Sequence, residues 1–312
     1  MGENNYDGSG KRNLLIERKE GRIAMEIIDT HHHLWNLKEN YYPWLTDKIG
    51  ENICGEYAAI RKNYLITDYL ADIANQNVVK SVHVQAGHDP SDPVRETRWL
   101  QTIADRPESC GIPHGIVAFA DFSAPNVEEI LEGHCQYRNM RGIRQTLHNH
   151  GDLVQNLTWR KHLRLLKKYG LSFDLEVFYY QMADAASLAQ DYPDVQFILC
   201  HTGLPARHDE AGLDGWRRGM RGLAVCPNIA VKISGLGMFD RQWTVGSIRP
   251  FVLETIDIFG IDRCMFSSNF PVDKMMSSYD VLWNAFKEIT AAFLETDRVK
   301  LFHDNAARYY RL

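Results

Sequence analysis

Cysteine is scarce in this chain of 312 residues, and the six present (Cys54, Cys110, Cys135, Cys200, Cys226 and Cys264) form no C-x-x-C pair. That scatter excludes a disulfide framework and the common thiolate zinc motifs, and it fits reduced thiols in a cytoplasmic protein. No stretch of about 20 apolar residues and no secretory-type apolar segment is present, so no membrane span is expected. Lysine and arginine never gather into a block. The 35 basic and 40 acidic residues are interspersed for a net charge of −5, which argues against a nucleic-acid or membrane surface and for a small soluble partner. Low-complexity linkers and short-period repeats are absent too. A homo-oligomer remains compatible with the sequence.

What is present is a 45% hydrophobic composition, over a length that closed α/β barrels commonly use as one domain. Residues 1–25 are polar and of mixed charge and read as a disordered leader, with Met25 a candidate natural start; residues 26–312 read as the folded domain. Apolar runs of strand length fall at 27–30, 81–85, 115–120, 142–145, 172–177, 196–200, 231–234 and 264–267. Helical periodicity falls between them at 66–75, 94–104, 127–136, 159–169, 182–190, 212–223 and 248–259. Gly170 predicts a left-handed cap for one of these helices. Eight alternating units predict a (β/α)8 barrel. An open doubly wound sheet would usually carry a glycine-rich phosphate turn after an early strand, whereas this chain has Asp29-Thr30-His31-His32-His33 there.

Period-two alternation sorts the strand faces. Phe173, Leu175 and Val177 are expected toward the helices, with Ser172, Asp174 and Glu176 inward. Likewise Val82, Val84, Val231 and Ile233 are expected outward, with His83, Gln85, Lys232 and Ser234 inward. A barrel interior is normally filled by branched apolar residues, so polar residues near the strand ends point to a site.

The sharpest signal is the histidine run ending the first strand. Alternation aims His31 and His33 the same way and His32 the other, so two imidazoles can reach one ion. His201 ends the sixth strand, and barrel active sites collect at that C-terminal rim. Three neutral imidazoles with an open coordination position are what a catalytic zinc uses to acidify water or polarise a carbonyl. Hydrogen bonds from the same imidazoles could polarise a carbonyl without an ion. His148 and His150 repeat the H-x-H spacing after the fourth strand and read as a surface loop. His162, His208 and His303 receive no functional reading, and Cys200 reads as a core residue.

The segments Ile28-Asp29-Thr30-His31-His32-His33-Leu34-Trp35 and Tyr42-Pro43-Trp44-Leu45 resemble the opening of the amidohydrolase-related, lactonase-like TIM-barrel hydrolases, the group that includes fuconolactonases. Val82-His83-Val84-Gln85, Arg141-Gly142-Ile143-Arg144-Gln145, Cys200-His201-Thr202-Gly203, Val231-Lys232-Ile233-Ser234-Gly235-Leu236 and Phe266-Ser267-Ser268-Asn269-Phe270-Pro271-Val272-Asp273 continue the resemblance across the folded chain. It implies that His31, His33 and His201 match the histidines that bind a divalent metal, zinc first, or the lactone. It also implies a departure, because Asn269 stands where related barrels usually carry an aspartate. An amide cannot take a proton from water near neutral pH, so Asn269 can orient a water or a carbonyl but cannot be the base.

Glu176 is then the first candidate base, ahead of Asp174, Asp273 and His88, and a salt bridge to Lys232 or Arg144 is its alternative. Arg144 suits a substrate carboxylate or a structural ion pair, and Lys232 is similarly placed. Trp35, Tyr42 and Trp44 could enclose a ring-shaped substrate or pack their own loop. Of His83, Gln85 and His88, one is expected to contact the ligand. The function these residues imply is hydrolysis of a small lactone, a sugar-acid lactone before a carboxylated pyrone or muconolactone-type ring. A decarboxylase of small aromatic or enol acids and a non-catalytic binding barrel are the competing readings.

Overall fold

The computed structural model describes residues 25–148, 150 and 153–312. Its eight strands pair in parallel in chain order: β1 (Ile27–His32), β2 (Val78–Val84), β3 (Gly115–Ala118), β4 (Met140–Ile143), β5 (Ser172–Leu175), β6 (Phe197–Leu199), β7 (Ile229–Ile233) and β8 (Cys264–Phe266). A bridge between His32 and Phe270 brings the last strand back to the first. There the His33 N–H donates to the Phe270 carbonyl and the Asn269 N–H to the His31 carbonyl, each at 2.7 Å. The (β/α)8 barrel expected from the unit count is what forms. The leader reading of residues 1–25 lies, Met25 apart, outside the described residues.

Most expected strands run past the observed ends at their C-terminal side. Arg144, Gln145, Glu176, Val177, Cys200, Ser234 and Ser267 all leave the ladder, because the chain turns there into the rim. Helices α1 (Pro43–Thr46) and α2 (Ile66–Asp72) occupy the long connection after β1. They are followed by α3 (Pro93–Ala104), α4 (Val127–Cys135), α5 (Leu157–Tyr169), α6 (Met182–Asp191), α7 (Glu210–Ala224) and α8 (Val245–Phe259). Three of these start two or three residues earlier than their apolar periodicity, since polar caps lie upstream of it. The side chains of Asn156, Asp209 and Thr244 accept from the N–H groups of Trp159, Gly212 and Ser247. Gly170 ends α5 at φ +62° as its position predicts. Helices α9 (Tyr279–Ile289), α10 (Glu295–Val299) and α11 (Asn305–Tyr310), beyond β8, were not among the expected elements.

Two apolar layers flank the strands. Phe173, Leu175, Val177, Val231 and Ile233 pack outward with helix residues such as Trp159 and Leu166, as expected, and each fully buried large side chain contributes roughly 1.5–3 kcal/mol. Inside the barrel lie Ile28, Val82, Val84, Val117, Ile198, Ala230 and Met265, with Ala306 and Tyr310 of α11 closing the floor. Val82 and Val84 are thus inward, opposite to the sequence expectation. That part of β2 lies below the rim, in the layer where a barrel is filled by branched side chains. His83 takes the other face. It is fully buried, its ring edge-on to His32 at 5.7 Å.

Candidate active site

The C-terminal ends of the strands open into a cavity of about 550 Å³, within the range that small-molecule sites occupy. Its wall includes His33, Gln85, Arg144, Glu176, His201 and Asn269, together with Trp44 from the loop after β1. His31 and Lys232 lie just beneath, fully buried. The register of β1 slips between Asp29 and His32, and the histidine run still divides as alternation requires. The His31 ring meets His33 at 5.0 Å and His201 at 4.4 Å. His32 turns away to stack on Tyr69 at 4.1 Å and reaches Ser81 Oγ at 3.0 Å.

Each imidazole is fixed by a neighbour. His33 Nδ1 lies 2.7 Å from the Val84 carbonyl and His201 Nδ1 lies 3.1 Å from Ser234 Oγ. Gly235 holds φ +66°, and a Cβ there would come within 2.7 Å of His201 Nδ1, so this close approach requires glycine. His201 and Asn269 themselves adopt positive φ, at 52° and 57°, a conformation that strains ordinary side chains and gathers at functional sites. Asp29 anchors the seam below. It accepts from Tyr69 (2.9 Å), Tyr279 (3.1 Å) and Ser268 Oγ (2.6 Å).

Burial holds all three site histidines well below the ordinary imidazole range. The neighbouring cations add to it: Lys232 most for His31, and Arg144 most for His33 and His201. They are neutral rings near pH 7, suited to hydrogen bonding with a carbonyl or a water. Burial also pushes the Asp273 carboxyl up to about 7; Asp273 accepts from Asn269 Nδ2 at 2.9 Å, which fixes how that amide presents its oxygen.

The two cations are already engaged. Arg144 donates to the Gln85 carbonyl at 2.7 Å, lies 3.3 Å from Glu176 Oε2 and faces His31 Nε2 at 3.4 Å. Lys232 bonds Asp174 at 2.5 Å and faces His31 Nδ1 at 3.4 Å. Both nitrogens of His31 therefore look at cations. Only two of the three imidazoles expected to hold zinc present a nitrogen, and no carboxylate or thiolate joins them. Among the described residues, no group of three or more His, Cys, Asp or Glu is arranged to hold a metal ion. Neutral donors flanked by two cations do not fit a resident divalent ion.

Trp35, Tyr42, His83 and His88, expected as contacts, are not among the residues lining the cavity. Trp35 is fully buried and donates to the Lys62 carbonyl at 2.7 Å; Tyr42, also fully buried, packs edge-on to His88 at 5.3 Å. His83 is bonded toward the Leu34 carbonyl at 3.3 Å. For Trp35 and Tyr42, packing of their own loop prevails. Trp44 does reach the wall, its indole donating to the Ala86 carbonyl at 2.7 Å. Cys200 is buried beside Asp174, with burial pushing its thiol far up, and is a core residue.

His148 and His150, placed in a surface loop from their spacing, both line the cavity. His148 Nδ1 lies 3.6 Å from Glu176 Oε1. Nothing in the H-x-H spacing signals this, because the loop's path over the rim is set by tertiary packing.

Comparison with known proteins settles the family. A family model described as Amidohydrolase matches residues 28–312. The chain belongs to this amidohydrolase family. It is 51% identical over 296 residues to an uncharacterized protein, y4mH, of Sinorhizobium fredii, covering 92% of this chain and 98% of that one. It is 27% identical over 309 residues to an L-fucono-1,5-lactonase of Burkholderia multivorans, covering 91% and 96%. A solved amidohydrolase structure from Burkholderia multivorans with bound zinc superposes with a TM-score of 0.78 at 25% identity, covering 92% of this amidohydrolase and 99% of that chain. No helix among the described residues is long and apolar enough to cross a membrane.

Proposed function

We propose that this amidohydrolase hydrolyses a small, uncharged sugar-acid lactone to its hydroxy acid, with L-fucono-1,5-lactone the first substrate to try. The observation that carries the choice is the commitment of both cations. Arg144 is the one Lys or Arg among the described residues lining the cavity, and its guanidinium is held by Gln85, Glu176 and His31. Lys232 is sealed below by Asp174. A carboxylated pyrone or muconolactone would need one of them free. Resemblance to a curated fuconolactonase over most of both chains supports the same choice.

In this reading His201, its Nδ1 accepting from Ser234 Oγ, places the lactone carbonyl by a hydrogen bond from Nε2 that strengthens as the carbonyl oxygen gains charge, while His33, whose Nδ1 donates to the Val84 carbonyl, offers Nε2 as an acceptor to a substrate hydroxyl. His31 backs them, held between Arg144 and Lys232, and Asn269 orients the attacking water. Attack on the carbonyl carbon breaks the ring ester bond and yields one carboxylate, one hydroxyl and one released proton.

The test is a pH-indicator assay of untagged protein on a panel of neutral sugar-acid lactones and carboxylated lactones, before and after chelation, with metal analysis of the same sample. Acid release from the neutral lactones that survives chelation is expected. About one zinc per chain with chelator-sensitive turnover would return the chemistry to a metal, and carbon dioxide release from an acid substrate would make the protein a decarboxylase.

A further inference from the structure

Glu176 and His148 stand together on the cavity wall in an arrangement that the mechanism above leaves unused. Arg144 Nη1 lies 3.3 Å from Glu176 Oε2, while Oε1 faces His148 Nδ1 at 3.6 Å. That gap exceeds a hydrogen bond as it stands, and catalytic bonds commonly tighten only when substrate is in place. His148 Nδ1 is buried with no other protein partner, so Glu176 is the acceptor it is aimed at. The side chain keeps 8% exposure, and the residue lines the cavity, which leaves Nε2 as the nitrogen toward the substrate. Phe178 stands edge-on to the ring at 5.7 Å and limits its rotation. A carboxylate behind an imidazole whose far nitrogen meets a reacting water is the arrangement by which histidine takes and returns a proton.

The family resemblance supplies a reason for a relocated base, since position 269 holds an amide where related barrels usually carry an aspartate. Resting on the lactonase reading, we infer that His148 takes the proton of the attacking water, with Glu176 as its positioning residue. The water oxygen bonds the lactone carbon as one of its protons passes to His148 Nε2. Collapse of the tetrahedral adduct breaks the bond to the ring oxygen, which takes that proton back from His148. The new carboxylic acid then ionises to solvent. Four charged or titratable groups bear on the His148 ring. Burial holds the ring below the ordinary imidazole value, Glu176 favours its protonated form, Arg144 and His150 oppose it, and His201 faces it across the site.

Two measurements test the pair. The first needs no substrate: ring NMR of the full chain is followed through a pH titration, with His148 assigned by the signal missing in His148→Gln. Glu176→Gln is expected to move the His148 midpoint downward; a midpoint indifferent to that change overturns the pairing. The second is the pH profile on the best lactone of the panel. His148→Gln is expected to lower kcat by roughly 10²–10⁴ with KM little changed, and added imidazole to restore part of the rate lost in His148→Ala. Full kcat in His148→Gln overturns the assignment. If the wild-type protein opens no lactone, the lactonase reading fails, and the ring titration still decides whether Glu176 and His148 are coupled.

Discussion

The floor and the rim of this barrel are both polar, yet they are built to opposite standards. On the floor, Asp174 takes Lys232 at 2.5 Å and the Tyr310 hydroxyl at 3.0 Å, all three nearly or fully buried, with the apolar ring of Ile28, Val82 and Met265 around them. At the rim, Arg144 Nε and His148 Nδ1 are buried without a hydrogen bond. Of the six non-glycine residues with positive φ among those described, His201, Thr202, Leu204 and Asn269 are on the rim. Buried polar atoms are ordinarily satisfied and backbones ordinarily relaxed. The floor obeys both rules because its task is stability. The rim breaks both at these residues, in the region where barrel architecture leads one to expect a site.

The largest effect expected is on the floor. Lys232→Met leaves Asp174 buried with the Tyr310 hydroxyl and the weakly donating Cys200 thiol, and losing one partner of such a pair costs about 3–5 kcal/mol. Urea unfolding should show that loss, with most of it regained in Lys232→Met combined with Asp174→Leu. A single variant as stable as the wild type would mean the floor pair is not structural. Next comes the rim. His201→Asn should cost turnover about 10²–10³, the toll of one lost carbonyl donor, while the unfolding midpoint stays close to wild type. A large fall in stability with unchanged turnover would invert the comparison.

That contrast was partly legible in the residues. The apolar periodicity carried the eight units, and polar alternation in β5 and β7 placed Asp174, Glu176 and Lys232 inward, because in those strands the polar positions are also the interior ones. In β2 the same rule failed. Val82 and Val84 fill the floor layer, and sequence alone does not tell how deep along the barrel a residue sits. The histidines at β1 and β6 were readable from strand-end position. The commitment of Arg144 and the approach of His148 to Glu176 were not, since both depend on which loop folds over which strand. Trp35 and Tyr42 looked like substrate contacts only because a long aromatic loop and a binding lid share a composition.

The smallest effect separates the two regions by acid. His31, His33 and His201 are held neutral by burial, and His83 is pushed down to about 3. A group with a depressed folded pKa contributes stability above its unfolded value, and that stability is lost as the pH falls. Stability should therefore decline once the pH drops below the ordinary histidine value of about 6.5. Asp273 and Glu96, both raised to about 7, act in the opposite sense. Their contribution is complete below the ordinary carboxylate range and is lost as pH rises through about 7, so they blunt the decline without reversing it, being outnumbered by the buried imidazoles. Urea midpoints between pH 7 and 5 should fall in the wild type and in the floor double variant alike, and fall less steeply in His201→Asn, where one neutral-only ring has been removed. An identical slope in His201→Asn would mean that the acid sensitivity resides outside the rim, in His32, His83 and His134, and that the rim's polarity carries no stability cost of its own.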